Sequence, residues 1–94
     1  MAETFSPILD AETEARIDAI MARLAEDHVR LATAESCTGG ILASLFTDIP
    51  GKSHVFEAGF VTYSDAAKTR MLGVPPEVIQ RFGAVSPETA TAMV

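Results

Sequence analysis

The chain has 94 residues, 48 % hydrophobic and 21 % charged, which suits one domain with a buried core and is too apolar for a disordered segment. Its net charge is −6, and its seven Lys and Arg residues are scattered from Arg16 to Arg81, so the basic patch of a DNA- or RNA-binding protein is absent. One cysteine, Cys37, rules out an internal disulfide. No apolar run is long enough to span a membrane or to form a secretory leader, so a cytoplasmic protein is expected.

Residues 1–10 read as a lead. Asp10 is a helix N-cap, and Ile17, Ile20, Met21 and Leu24 then recur at helical spacing, which predicts an amphipathic helix over Ala11–Glu26. Val29–Ala34 is short, apolar and bounded by polar residues, so it reads as a buried strand. A helix is expected from Thr38 to Thr47, with Ile41, Leu42, Leu45 and Phe46 on one face, followed by a turn at Asp48–Gly51. Ser53–Tyr63, rich in Val, Phe, Thr and Tyr, predicts a second strand. Ser64 then caps a short helix, Asp65–Leu72, that Gly73 closes. Glu77–Phe82 forms another short helix, stopped by Gly83. Ser86 and Pro87 open a last one, within which the chain stops without a C-cap, as expected of a piece of a longer domain. Alternating helices and strands point to an α/β layered domain, an α/β/α arrangement about a mostly parallel sheet.

The stretch Glu35-Ser36-Cys37-Thr38-Gly39-Gly40 lies where the first strand hands over to a helix. Ligands of open α/β sheets bind beyond the carboxyl ends of strands, where a helix N-terminus offers unpaired N–H groups and a positive dipole end. Gly39 and Gly40 remove side-chain bulk and allow a ligand to approach the backbone. The stretch therefore reads as an anion or oxyanion site with a hydroxyl or thiol nucleophile, or, more blandly, as a Ser/Thr cap. Cys37 on its own fits a small buried filler better than a nucleophile, because no cation adjoins it in sequence.

Tyr63 and Lys68, in TYSDAAK, form the second candidate. A cation in the first turn of a helix opposes the macrodipole, which favours the uncharged amine and so a general base. Most lysines, though, are surface lysines. Glu35 and Glu57 are a conceivable carboxylate pair, with Glu35 better suited to a hydrogen-bonding support beside the turn. His28 is expected at the surface. Two histidines and one cysteine make no zinc site, and Met21, Met71 and Met93 read as core.

ATAESCTGG, TDIPGKSHVFEAGFVTYSDAAK and FGAVSPETATAM closely resemble the CinA C-terminal domain family, known as competence/damage-inducible proteins and as nicotinamide-nucleotide amidohydrolases of the PncC type. The likeness runs over residues 11–94. It implies hydrolysis of the carboxamide of nicotinamide mononucleotide to nicotinate mononucleotide and ammonia, with Ser36 as nucleophile assisted by Lys68 and Tyr63. It further implies substrate contacts along Glu35, Cys37, Thr38, Gly39 and Gly40, and no metal or organic cofactor. Family domains continue past this point with a further strand, a TGIAGP-type loop and later basic residues, so the chain is expected to hold the first half or somewhat more of a domain. The partners expected are a small nucleotide substrate and a second copy in a homodimer, with no nucleic acid and no membrane. Two other functions fit the same residues: a non-catalytic nucleotide-binding or competence-related regulatory module, in which Ser36 is only a cap, and a structural domain of an assembly.

Overall fold

The computed structural model describes residues 9–49, 51 and 54–94. The chain folds into two compact units, the first made of residues up to Thr33 with Gly40–Gly59, the second of Ala34–Gly39 with Phe60–Val94. Among the described residues two strands, β1 (Leu31–Glu35) and β2 (Phe56–Val61), pair as a two-stranded parallel sheet, and five helices complete the α/β arrangement. Each strand begins in the first unit and ends in the second.

The first unit opens with α1 (Ala11–Glu26), which keeps its predicted bounds. The Asp10 carboxylate accepts from the Thr13 N–H at 2.7 Å, the N-cap bond the sequence anticipates. This bond holds the Asp10 carboxyl below its ordinary range. Pairs spaced four residues apart, Arg16–Glu12 at 2.7 Å and Arg23–Asp27 at 2.9 Å, line the solvent side. Met21 is fully buried and α1 packs on α2 (Ile41–Thr47). At the end of α1, His28 adopts a left-handed φ of 57° and the Val29 N–H bonds back to the Leu24 carbonyl. That turn consumes Val29 and Arg30, so β1 starts at Leu31 and not at Val29.

Helix α2 begins three residues later than expected. Cys37, Gly39 and Gly40 have φ of 73°, 68° and 104°, none of which a right-handed helix accommodates. Its residues Ile41 and Leu42, expected to face a core, are exposed, and no described residue of α2 is buried. In the paired strands, the Leu31 N–H donates to the Val55 carbonyl at 2.8 Å and Arg30 pairs with Glu57 at 2.8 Å. Gly59 sits in close packing: a Cβ there meets Thr33 Oγ1 at 3.0 Å and Ala43 Cβ at 3.3 Å, so a side chain at this position asks its neighbours to give way. Ser53, the expected start of β2, lies outside the described residues, as does Pro50 of the expected turn. β2 ends at Val61, two residues before Tyr63, because Thr62 and Tyr63 lead into the Ser64 cap.

The second unit carries three short helices, α3 (Asp65–Leu72), α4 (Pro76–Phe82) and α5 (Pro87–Met93), packed against one another. Val74, Ile79 and Met93 form its core, flanked by Ala34, Leu72, Val78, Ala84 and Ala92. Ser64 Oγ accepts from the Ala67 N–H at 3.0 Å, and Gly73, at φ 71°, closes α3. Ser86 caps α5 by accepting from the Thr89 N–H, while the buried Thr89 hydroxyl donates to the Gly83 carbonyl at 2.7 Å. Met71 is half exposed, against its reading as core. The inward line of α3 runs instead through Lys68 and Leu72, one helical turn apart. No helix among the described residues is long and apolar enough to cross a membrane.

Candidate active site

The site residues of the second unit gather where both strands end. The Thr62 N–H donates to the Glu35 carbonyl at 3.0 Å, so the main chain leaves β1 at Ser36 and β2 at Tyr63 from hydrogen-bonded neighbours. Ser36 is half-buried, and its hydroxyl contacts Cys37 Sγ at 3.9 Å. Cys37 is exposed, which corrects its reading as a buried filler: a left-handed turn residue at a strand end projects away from the core. Thr38 turns its hydroxyl back onto the Glu35 carboxylate at 2.6 Å. Glu35 is 5 % exposed and is thereby the hydrogen-bonding support the sequence suggests, whereas Glu57 pairs with Arg30. The main-chain N–H groups of Cys37, Thr38 and Gly39 make no hydrogen bond among the described residues. Left-handed φ at Cys37 and at Gly39, on either side of Thr38, is the kind of alternating backbone that anion-receiving turns use. Gly40 belongs to the first unit, where it is the N-cap of α2.

Lys68 is the second feature. Only 3 % of it is exposed, so the commonplace reading of a solvated lysine fails. It occupies the fourth position of α3, and its Nζ donates to the Tyr63 carbonyl at 3.1 Å, with an Asp65 carboxylate oxygen 3.9 Å away. Its burial follows from the cap: Ser64 starts the helix so that the side chain at the fourth position folds back over the strand end. Tyr63, in contrast, is 84 % exposed. Thus Lys68 and the Tyr63 backbone meet directly. The Ser36 hydroxyl and the Lys68 amine share no hydrogen bond among the described residues.

Thr62 is a residue that sequence reasoning passes over. It is fully buried, and its hydroxyl has no hydrogen-bond partner among the described residues. A threonine in a β-rich run carries no signal that separates it from ordinary strand composition. A groove of about 680 Å³ between α3 and α4, lined by Asp65, Ala66, Thr69, Arg70, Pro76, Ile79 and Gln80, includes none of Ser36, Tyr63 and Lys68. No group of His, Cys, Asp and Glu among the described residues has metal-binding geometry.

Residues 13–94 match the family described as CinA C-terminal domain. A CinA-like protein of Akkermansia muciniphila is 56 % identical over 75 residues, covering 80 % of this chain and 18 % of that protein. A CinA-like protein of Desulfovibrio desulfuricans is 51 % identical over 78 residues, covering 82 % and 18 %. Among solved structures, the competence/damage inducible protein CihA from Agrobacterium tumefaciens superposes with a TM-score of 0.85 at 41 % identity, covering 93 % of this chain and 53 % of that one. A competence-damaged protein (CinA) superfamily protein from Escherichia coli gives 0.81 at 39 %, covering 92 % and 52 %. The chain therefore spans under a fifth of those curated relatives and about half of those solved chains. The chain belongs to the CinA C-terminal domain family.

Proposed function

We propose that this domain contributes the nucleophile and base of an amidohydrolase acting on nicotinamide mononucleotide in the cytoplasm. The observation that carries the reading is the buried Lys68 amine, anchored to the Tyr63 carbonyl at 3.1 Å, in the unit that presents the Ser36 turn. Lysine amines are rarely enclosed, and proton transfer gives this one a use that its single modest hydrogen bond among the described residues does not.

Ser36 Oγ attacks the carboxamide carbon, and its proton passes to the lone pair of the Lys68 amine. The oxyanion that develops is received by the main-chain N–H groups of the Cys37–Gly39 turn, where one such donor is typically worth about 10²–10³ in rate. Collapse breaks the C–N bond, and the amide nitrogen leaves as ammonia, protonated from Lys68 with the Tyr63 phenol as relay. Water then attacks the Ser36 ester, passing a proton to Lys68; the bond between the acyl carbon and Ser36 Oγ breaks, Lys68 returns that proton to Ser36 Oγ, and nicotinate mononucleotide departs. Each atom of the amide and of one water is accounted for, with no metal or organic cofactor in the scheme. A serine–base hydrogen bond often tightens only in the Michaelis complex, which accommodates its absence between Ser36 and Lys68 here.

The test is ammonia release from nicotinamide mononucleotide by the full-length protein, compared with Ser36→Ala. The reading requires turnover in the first and near-complete loss in the second. Saturable nucleotide binding with no product at all overturns it in favour of a non-catalytic nucleotide-binding module.

A further inference from the structure

We infer that Glu35 is a positioning residue that sets the reactivity of Ser36 through a clamp on Thr38. The inference rests on the reading of Ser36 as nucleophile. Three observations carry it. Glu35 is almost fully buried, although a carboxylate is among the groups least often enclosed. Its Oε1 accepts from Thr38 Oγ1 at 2.6 Å, the short distance of a hydroxyl donating to a carboxylate. The bond spans residues 35 to 38 and so encloses Ser36 and Cys37, and Cys37 sits at φ 73° despite its Cβ. A non-glycine residue in that region is held there by its surroundings.

The same residue binds the other arm of the site. The Glu35 carbonyl accepts the Thr62 N–H at 3.0 Å, and the next residue, Tyr63, holds the Lys68 amine through its carbonyl. Glu35 thus joins both pieces: its side chain fixes the turn that carries Ser36, and its main chain fixes the strand end that leads to Lys68. Loss of the Thr38 hydroxyl releases the turn and removes no atom of the Lys68–Tyr63 bond, which separates its effect from removal of the base.

The variants are Thr38→Val, which deletes the hydroxyl at an exposed position with little change in volume, and Thr38→Ser, which keeps it. Glu35→Met and the double variant complete a cycle. Two readouts are taken on the full-length protein: kcat and KM with nicotinamide mononucleotide, and the rate at which a fluorophosphonate labels Ser36, followed by intact mass. Thr38→Val is expected to lower both kcat and the labelling rate by about tenfold to a hundredfold, the effect of misplacing a reacting group by the order of an ångström, with KM nearly unchanged. Thr38→Ser recovers most of both rates, melting midpoints of the two variants agree, and the double variant loses no more than the greater single loss. If Glu35→Met does not fold, the Thr38 pair decides alone. Wild-type labelling without turnover removes the nicotinamide substrate and leaves the clamp to be read from labelling. Labelling of Thr38→Val at the wild-type rate, or no labelling of the wild type, overturns the inference.

Discussion

Lys68→Met separates a catalytic amine from a structural one. Methionine keeps the length and the apolar stem of the side chain and removes Nζ. The structural cost is small. Among the described residues Nζ makes one hydrogen bond, to the Tyr63 carbonyl, and a neutral hydrogen bond contributes about 0.5–1.5 kcal/mol net. The Asp65 carboxylate is 3.9 Å away and largely exposed, so its attraction is worth about 1 kcal/mol or less. The exposed strand end lets water replace the lost donor at Tyr63, and the thioether gains from burial where the amine did not. The fold is therefore expected to lose no more than about 1 kcal/mol. The catalytic cost is of another scale. A positioned base contributes about 10²–10⁴ in rate, or roughly 2.7–5.5 kcal/mol of barrier. Urea unfolding followed by circular dichroism reads the first quantity, and coupled detection of ammonia from nicotinamide mononucleotide reads the second. Lys68→Arg holds a cation in place but supplies no base, and it is expected to fall with Lys68→Met. A folded Lys68→Met protein that turns over within about tenfold of wild type refutes the assignment of the base.

Three further outcomes follow from the described residues. Asp10→Ala is expected to lower the thermal midpoint near neutral pH, because the carboxylate caps α1 and its folded-state pKa is depressed by that bond. A depressed carboxyl contributes stability above its unfolded value and loses it as pH falls through the folded one, so melts of wild type and variant converge on acidification from about pH 4 downward. Gly59→Ala places a methyl 3.0 Å from Thr33 Oγ1 and is expected to destabilise by about 1–3 kcal/mol in urea titration, with Thr33→Ala recovering part of the loss. Met71→Gln, at a half-exposed position, is expected to leave the urea midpoint within about 0.5 kcal/mol of wild type; a loss of several times that shows the side chain to be core after all.

Local chemistry made most elements readable from the chain. Asp10, Ser64 and Ser86 each place a side-chain oxygen three residues before a backbone N–H, and all three caps form as the sequence dictates. Gly73 and Gly83 end their helices with φ of 71° and 89° for the same local reason. What periodicity does not encode is which of two apolar lines turns inward. Met71 and Lys68 share one short helix, and the pattern of apolar residues favours burial of the methionine. The structure buries the lysine, because position in the helix and the route of the strand before it outrank hydropathy on a helix with so little apolar surface to place. The turn after β1 departs from its sequence pattern for a related reason. Thr38 looks like a helix-starting hydroxyl, yet three left-handed residues delay α2 to Ile41 and free that hydroxyl to reach Glu35. Two glycines announced that the backbone bends there, but a left-handed cysteine cannot be inferred from its side chain. Its conformation is imposed by the contacts around it, and departures from local preference concentrate where a chain holds functional groups in place. Propensity failed at Cys37, Thr38 and Lys68, and these residues adjoin Ser36 or serve as its base in the proposed chemistry.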